Sequence, residues 1–325
     1  MKRYLRPTVG LVLAALFVWL MVRHVDVVDV GRQLRGVSLC WVLAALASLL
    51  VGYTLRIERW RWMLAVDAPS LSWRACAGPF LASFTLNNVL PLRVGDVLRT
   101  FAFKQQLGCG PTLVLATLLV ERLLDLLMVL VLLGIALLAF GLDASALANV
   151  GGVALVLAAL SIFLLLLFPQ GFAPLARAVV TLLGRVAPGL ASKIGAEVDK
   201  LFGTLGHLSH GRIMLQLFAL SLAAWLAEGL VFWCAALALS GITVAAGGWL
   251  ALPVGTLATL IPSSPGYVGT FDFFVARAMT LVGNELAAAT AYALLTHLLL
   301  WLPVTLAGGT YLFVTRVRVP KESLS

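Results

Sequence analysis

Charge is scarce in this sequence. Asp, Glu, Lys and Arg make up 11% of its 325 residues, against about 25% in a soluble domain. That shortage excludes a soluble globule, and the 62% hydrophobic fraction and mean hydropathy of +1.04 agree. Cysteine is scarce too. Cys40, Cys76, Cys109 and Cys234 lie in four separate segments with no C-x-x-C pair. They read as small apolar filler in or near spans, with Cys109 in a loop, and not as a disulfide or metal framework. No H-E-x-x-H, G-x-S-x-G, Walker or G-x-G-x-x-G motif occurs, so neither an enzyme class nor a cofactor is indicated. His207 and His210 form H-x2-H without a nearby cysteine, which does not make a metal site. No small-x-small cleavage site follows the apolar stretch Thr8 to Val22, so that stretch reads as an uncleaved first span.

What is present is apolar sequence in membrane-sized runs. They fall at about 8–22, 37–55, 111–140, 150–168, 213–240 and 285–315. At about 20 residues per crossing, these predict six full spans in a single all-α integral membrane domain, 1–325. Two further stretches, about 75–105 and 248–282, are apolar but broken by Pro, Gly, Asn and charge. Irregular backbone at that depth is tolerated where protein or a wet cavity meets it, so both predict re-entrant helical hairpins. Segment 169–212 is extramembrane. Its Leu190, Ile194, Val198, Leu201, Leu205 and Leu208 recur at helical spacing, while Lys193, Glu197 and Lys200 avoid that stripe. An amphipathic helix on the leaflet, or a linker packed on the bundle, fits. The net charge of +9 reports orientation and anionic headgroups rather than nucleic acid. Basic residues crowd the N-terminus, 56–74, 99–104, 177–212 and the C-terminus. Loops 141–149 and 241–247 hold none. The positive-inside rule then puts both termini and 169–212 in the cytoplasm, with Arg23, Arg32 and Arg35 the discordant group outside.

The two broken stretches align without gaps at an offset of 174. Pro79, Thr85, Leu86, Pro91, Val94 and Gly95 match Pro253, Thr259, Leu260, Pro265, Val268 and Gly269. Asp96 and Arg99 follow in the first copy, Asp272 and Arg277 in the second. With the first stretch entering from the cytoplasm and the second from outside, 37–140 and 213–315 form an inverted repeat, the plan of many secondary transporters. The alternative is that Pro and Gly merely let helices pack closely.

Ionisable groups in hydrocarbon demand a partner or water. They cluster at Arg93, Asp96, Arg99, Glu121, Arg122, Asp125, Glu228, Asp272, Arg277 and His297. Glu121 and Asp125 share a helix face, and Arg122 can pair with Asp125. Arg93, Asp96 and Arg99 share a face if helical. Glu121, Arg122 and Asp125 fit an ion-pair network as well as a binding site. Arg93 and Arg99 are the stronger substrate candidates, because an arginine fork matches phosphate. Glu228 reads as an isolated acid and His297 as a satisfied interior group.

Pro91-Leu-Arg93-Val-Gly95-Asp96-Val-Leu-Arg99, then Glu121-Arg122, then Pro262-Ser-Ser-Pro265-Gly266-Tyr-Val-Gly269-Thr-Phe-Asp272 resembles the flippase-like transmembrane family. That family includes the membrane half of bacterial lysylphosphatidylglycerol synthase/flippases and many stand-alone proteins. The resemblance covers nearly the whole chain. It implies translocation of a polar or anionic lipid (phospholipid, hopanoid or polyprenyl-linked) across the bacterial inner membrane. Tyr267 replaces a common glycine, and Asp272 a common Glu. Nothing follows Ser325 to supply an aminoacyl-transferase domain, so lipid modification is not expected. The expectation is thus a non-enzymatic flippase. Arg93, Asp96, Arg99, Glu121, Arg122, Asp125, Asp272 and Arg277 would contact substrate, and Pro91, Gly95, Pro262, Pro265, Gly266 and Gly269 would shape the hairpins. The rival is a non-transporting membrane partner of a lipid-modifying or glycan-assembly enzyme.

Overall fold

The computed structural model describes residues 15–20, 23, 27–90, 93–142, 152–185, 188–261 and 264–315. Pro91, Pro262 and both charged termini lie outside the described residues. Helices α1 (Val27–Arg35), α2 (Leu39–Leu64), α3 (Trp73–Val89), α4 (Val94–Phe101), α5 (Lys104–Leu107) and α6 (Pro111–Ala139) build the first part. Helices α7 (Gly152–Leu167), α8 (Pro169–Gly184) and α9 (Pro188–Leu208) connect it to the second. That part comprises α10 (Gly211–Leu237), α11 (Gly248–Ala258), α12 (Thr270–Leu281) and α13 (Leu286–Thr315). Helices dominate because a span in lipid must satisfy its backbone internally.

Among the described residues, α2, α6, α10 and α13 are long and apolar enough to cross a membrane. The protein is therefore a multi-pass membrane protein, and four of the six expected spans stand among the described residues as single long helices. The expected span 150–168 is a 16-residue helix, α7, which then bends by 97° into α8. Proline at the first position of α8 explains the bend, since it disfavours helical backbone at Phe168. With α8 counted as its continuation, the total reaches five. The expected span at 8–22 is described only at 15–20, which are helical.

The offset of 174 recurs in the backbone. Added to the bounds of α2 it gives 213–238, and added to those of α6 it gives 285–313, within two residues of α10 and α13. Pro79 and Pro253 both lie inside helices. The two non-glycine residues with left-handed backbone among the described residues are Arg93 (φ 54°) and Tyr267 (φ 61°), again 174 apart. Packing follows the same exchange: α2 lies along α10, α3 against α13, and α11 against α6. In the first pair, Ser48 donates to the Ala227 carbonyl and Arg59 to Ser221, so α2 and α10 run antiparallel.

Close approach of α4 to α3 requires Gly95. A Cβ there would sit 1.8 Å from the Ser83 carbonyl oxygen. Helices α8 and α9 form their own antiparallel pair, joined by Arg177–Asp199 at 2.9 Å. Leu205 and Leu208 are buried against the bundle while Glu197 and Lys200 face out. Hydrogen bonds from Lys200 and Thr112 hold the Glu197 carboxyl below its ordinary range and tie α9 to α6.

Candidate functional site

Four arginines meet four carboxylates between α2, α4, α6 and α10, one to one. Arg99 forks onto Glu121, with Nη2–Oε2 at 2.8 Å and Nη1–Oε1 at 3.3 Å. Both side chains are 0% exposed. The Arg99 guanidinium also lies 3.8 Å from the Trp60 ring centroid and 4.5 Å from that of Phe80. Arg59, equally buried, donates to Asp125 and Ser221, each at 2.8 Å, and Trp225 adds a bond to Asp125 at 3.1 Å. Arg56 pairs with Glu228 beside the Tyr53 and Trp225 rings. Arg122 reaches Asp96 at 3.1 Å, and Asp96 also accepts from Asn87 at 2.9 Å and Ser83 at 3.3 Å.

These contacts revise the local reading of the charges. Arg122 and Asp125, three apart on α6, turn to different partners and do not pair with each other. Glu228 has a cation across the helix pair and is not isolated. Arg93 does not share a helical face with Asp96 and Arg99. It precedes α4 in left-handed backbone, half-buried, and its guanidinium has no partner among the described residues. Arg56 and Arg59, which read in the sequence as a basic flank after an apolar run, lie inside α2 and are buried. Arg277 is exposed on α12.

The second broken stretch carries different chemistry. Gly266 (φ 70°) turns the chain where a Cβ would meet Trp301 at 2.8 Å and the Asn88 carbonyl at 3.3 Å. Pro265 opens the short 3-10 turn there, and Gly269 (φ 84°) starts α12. Asp272, 3% exposed, accepts from the Gly269 N–H at 2.8 Å and lies 2.8 Å from His297 Nδ1. The other ring nitrogen of His297 is 2.9 Å from the Gly266 carbonyl oxygen.

A cavity of ≈ 190 Å³ lies where the two broken stretches meet. Tyr53, Asn88, Glu228, Thr256, Tyr267 and His297 supply its polar wall; Phe84, Phe232, Phe271 and Trp301 supply rings. At about 30 Å³ per water it has room for roughly six, with enough polar groups to hold them. A second space of ≈ 1150 Å³ opens between α6, α7 and α10, lined by residues such as Leu127, Val131, Val156, Phe163, Leu215 and Phe218. Its lining residues are apolar throughout.

Residues 8–308 match the family model described as the lysylphosphatidylglycerol synthase TM region. The chain belongs to that family. It is also similar to Glycosyltransferase AglD of Haloferax volcanii, 29% identical over 338 residues. That match covers 92% of this chain and 53% of the relative, so the chain spans about half the relative's length.

Proposed function

We infer that this family member translocates a polar or anionic lipid across the membrane. The observation that carries the reading is the polar-walled cavity at the meeting of two broken stretches, inside a chain of membrane spans. Antiparallel packing of α2 on α10 supports an inverted repeat, the arrangement in which such breaks face each other near the midplane. The basic loops then lie in the cytoplasm, with 241–247 outside.

The ion pairs divide the expected site. Arg99 with Glu121 and Arg59 with Asp125 hold the bundle together, since each buried cation is matched by a carboxylate on a neighbouring helix. Arg122 and Asp96 are partly exposed and lie at the edge of this group. Arg93, which precedes α4 and has no partner among the described residues, is the arginine of the first broken stretch left to grip a phosphate. The apolar cleft between α6, α7 and α10 suits acyl tails, which need no polar partner. The direct test is translocation in reconstituted vesicles, read by an impermeant reagent in the outer leaflet. Failure across a broad panel of lipids would remove the reading.

A second reading has one observation in its favour. The relative named as a glycosyltransferase matches over about half its length. A membrane module that serves a lipid-modifying or glycan-assembly enzyme would account for that. Co-purification of such an enzyme with a translocation-inactive protein would favour it.

A further inference from the structure

His297 is held at both ring nitrogens by groups that accept. Nε2 faces the Gly266 carbonyl oxygen at 2.9 Å, and a carbonyl has no hydrogen to give. Nδ1 faces Asp272 Oδ1 at 2.8 Å, while the other oxygen of that carboxyl accepts from the Gly269 N–H. A neutral imidazole carries one hydrogen and an ionised carboxylate none. The two bonds of His297 need two. The second hydrogen sits on the ring, giving an imidazolium–carboxylate pair, or on Asp272, giving a carboxylic acid that donates to the ring. Both placements hold one proton more than neutral His297 beside ionised Asp272.

We propose that His297 and Asp272 form a proton-binding site whose bound proton latches the tip of the second broken stretch to α13. Its role in transport rests on the reading of the neighbouring cavity as a lipid path; proton binding itself does not. Loss of the proton leaves one hydrogen for two acceptors. The charged oxygen of Asp272 keeps it, because hydrogen bonds to an ionised acceptor are the stronger. The lone pair of Nε2 then faces the Gly266 carbonyl, and that contact turns repulsive. Gly266 is the point where the chain reverses against Trp301 and Asn88, so the latch acts on the wall between the two broken stretches.

The surroundings provide an exit for the proton. The His297 side chain is 15% exposed and lines the cavity, whereas Asp272 is 3% exposed behind it. The ring of Phe271 closes one side, 5.1 Å from that of His297. Other titratable groups on the cavity are Glu228 of α10, Tyr53 of α2 and Tyr267 of the tip. Glu228 is matched by Arg56, so its charge is already compensated. Helices α3 and α11 contribute Asn88 and Thr256, which do not titrate, and Arg277 of α12 is exposed.

Nitrogen-15 NMR of the histidine-labelled protein in detergent reads the proton directly. Four histidines give few signals, and His297→Gln identifies the one that matters. The expected result is a ring with both nitrogens in hydrogen bonds at neutral pH that loses a proton as pH rises. A ring with one nitrogen free of any hydrogen bond at neutral pH overturns the proposal. Opening of the latch is read by maleimide labelling of Ser264→Cys in a Cys40→Ser background. Loss of a bond of ordinary strength predicts an increase of about three- to ten-fold as the site deprotonates. Asp272→Asn is the decisive variant. Its amide nitrogen donates to Nδ1 and its oxygen accepts from Gly269, so a neutral ring keeps Nε2–H on Gly266. Labelling in that variant should stay slow at every pH; a pH response equal to wild type would overturn the latch. Translocation under an imposed pH gradient separates the two readings. A proton signal without translocation leaves the site and removes the lipid path. Translocation with a neutral His297 does the opposite.

Discussion

Replacing Arg99 by methionine should unfold much of what holds α4 to α6. The pair is sealed: neither Arg99 nor Glu121 has any exposed side-chain surface. Removing the cation strands an ionised carboxylate, or forces it to take up a proton, at a cost of about 3–5 kcal/mol. Glu121→Met should cost a similar amount for the mirror-image reason. The double variant, Arg99→Met with Glu121→Met, removes both charges together and fills the space with flexible apolar chains. Exchanges of that kind are neutral or stabilising by about 1–4 kcal/mol. The double-mutant cycle should therefore show coupling of several kcal/mol, above the roughly 0.5–3 kcal/mol typical of neighbouring residues, because neither charge reaches the surface. Unfolding free energies in mixed micelles supply the assay. Arg99→Lys is the intermediate case. It keeps the charge but loses one of two bonds and the flat contact with Trp60 and Phe80, a loss of about 1–3 kcal/mol. Single variants costing under about 1 kcal/mol, or a double variant no better than either single, would refute the assignment of this pair to structure.

Arg93→Gly should behave in the opposite way. It relieves left-handed backbone strain of roughly 1–3 kcal/mol, so stability should hold or rise while lipid translocation falls; equal loss of both would remove the headgroup role. Gly95→Ala should prevent α4 from seating, because its Cβ would meet the Ser83 carbonyl at 1.8 Å. Loss of a monodisperse peak in size-exclusion chromatography checks it. Single cysteines on the exposed face of α9 should resist impermeant reagents in intact cells, whereas those at 241–247 should react; strong labelling of α9 would invert the topology.

Apolar run length made α2, α6, α10 and α13 legible, because a span must supply about 20 residues whatever its partners are. At 150–168 composition is membrane-like, but the helix there is 16 residues long before a 97° bend at Pro169, so it is long enough only together with α8. Pro, Gly and Asn likewise marked both broken stretches. Ion-pair partners were not legible. Arg59 and Asp125 are 66 residues apart, and Arg56 and Glu228 are 172 apart. Helical spacing indicates only neighbours on one helix, so Arg122 was matched with Asp125, when the packing of α4 on α6 gives it Asp96 instead. His297 was visible as a charge in a span, but the acceptors at both of its nitrogens come from a turn and a helix distant in sequence.

The offset of 174 relates backbones far better than it relates chemistry. Arg93 corresponds to Tyr267, Asp96 to Thr270, Arg99 to Phe273, Glu121 to Leu295, Arg122 to Thr296 and Asp125 to Leu299. Every ionic member of the first copy is neutral in the second. Conversely, Asp272 and His297 correspond to Leu98 and Leu123. The two aligned stretches of the chain therefore carry unlike interiors. The first is cross-linked by the buried pairs Arg99–Glu121 and Arg59–Asp125, which cost several kcal/mol to break, while Arg56–Glu228 ties it to α10. The second is joined at its tip by bonds that a single proton can make or break. Movement between two packed frames should start where the holding energy is least, and the cavity lies on that side, against Gly266, Tyr267 and His297. On this argument the first copy is the fixed frame, and the tip of the second is the part that yields.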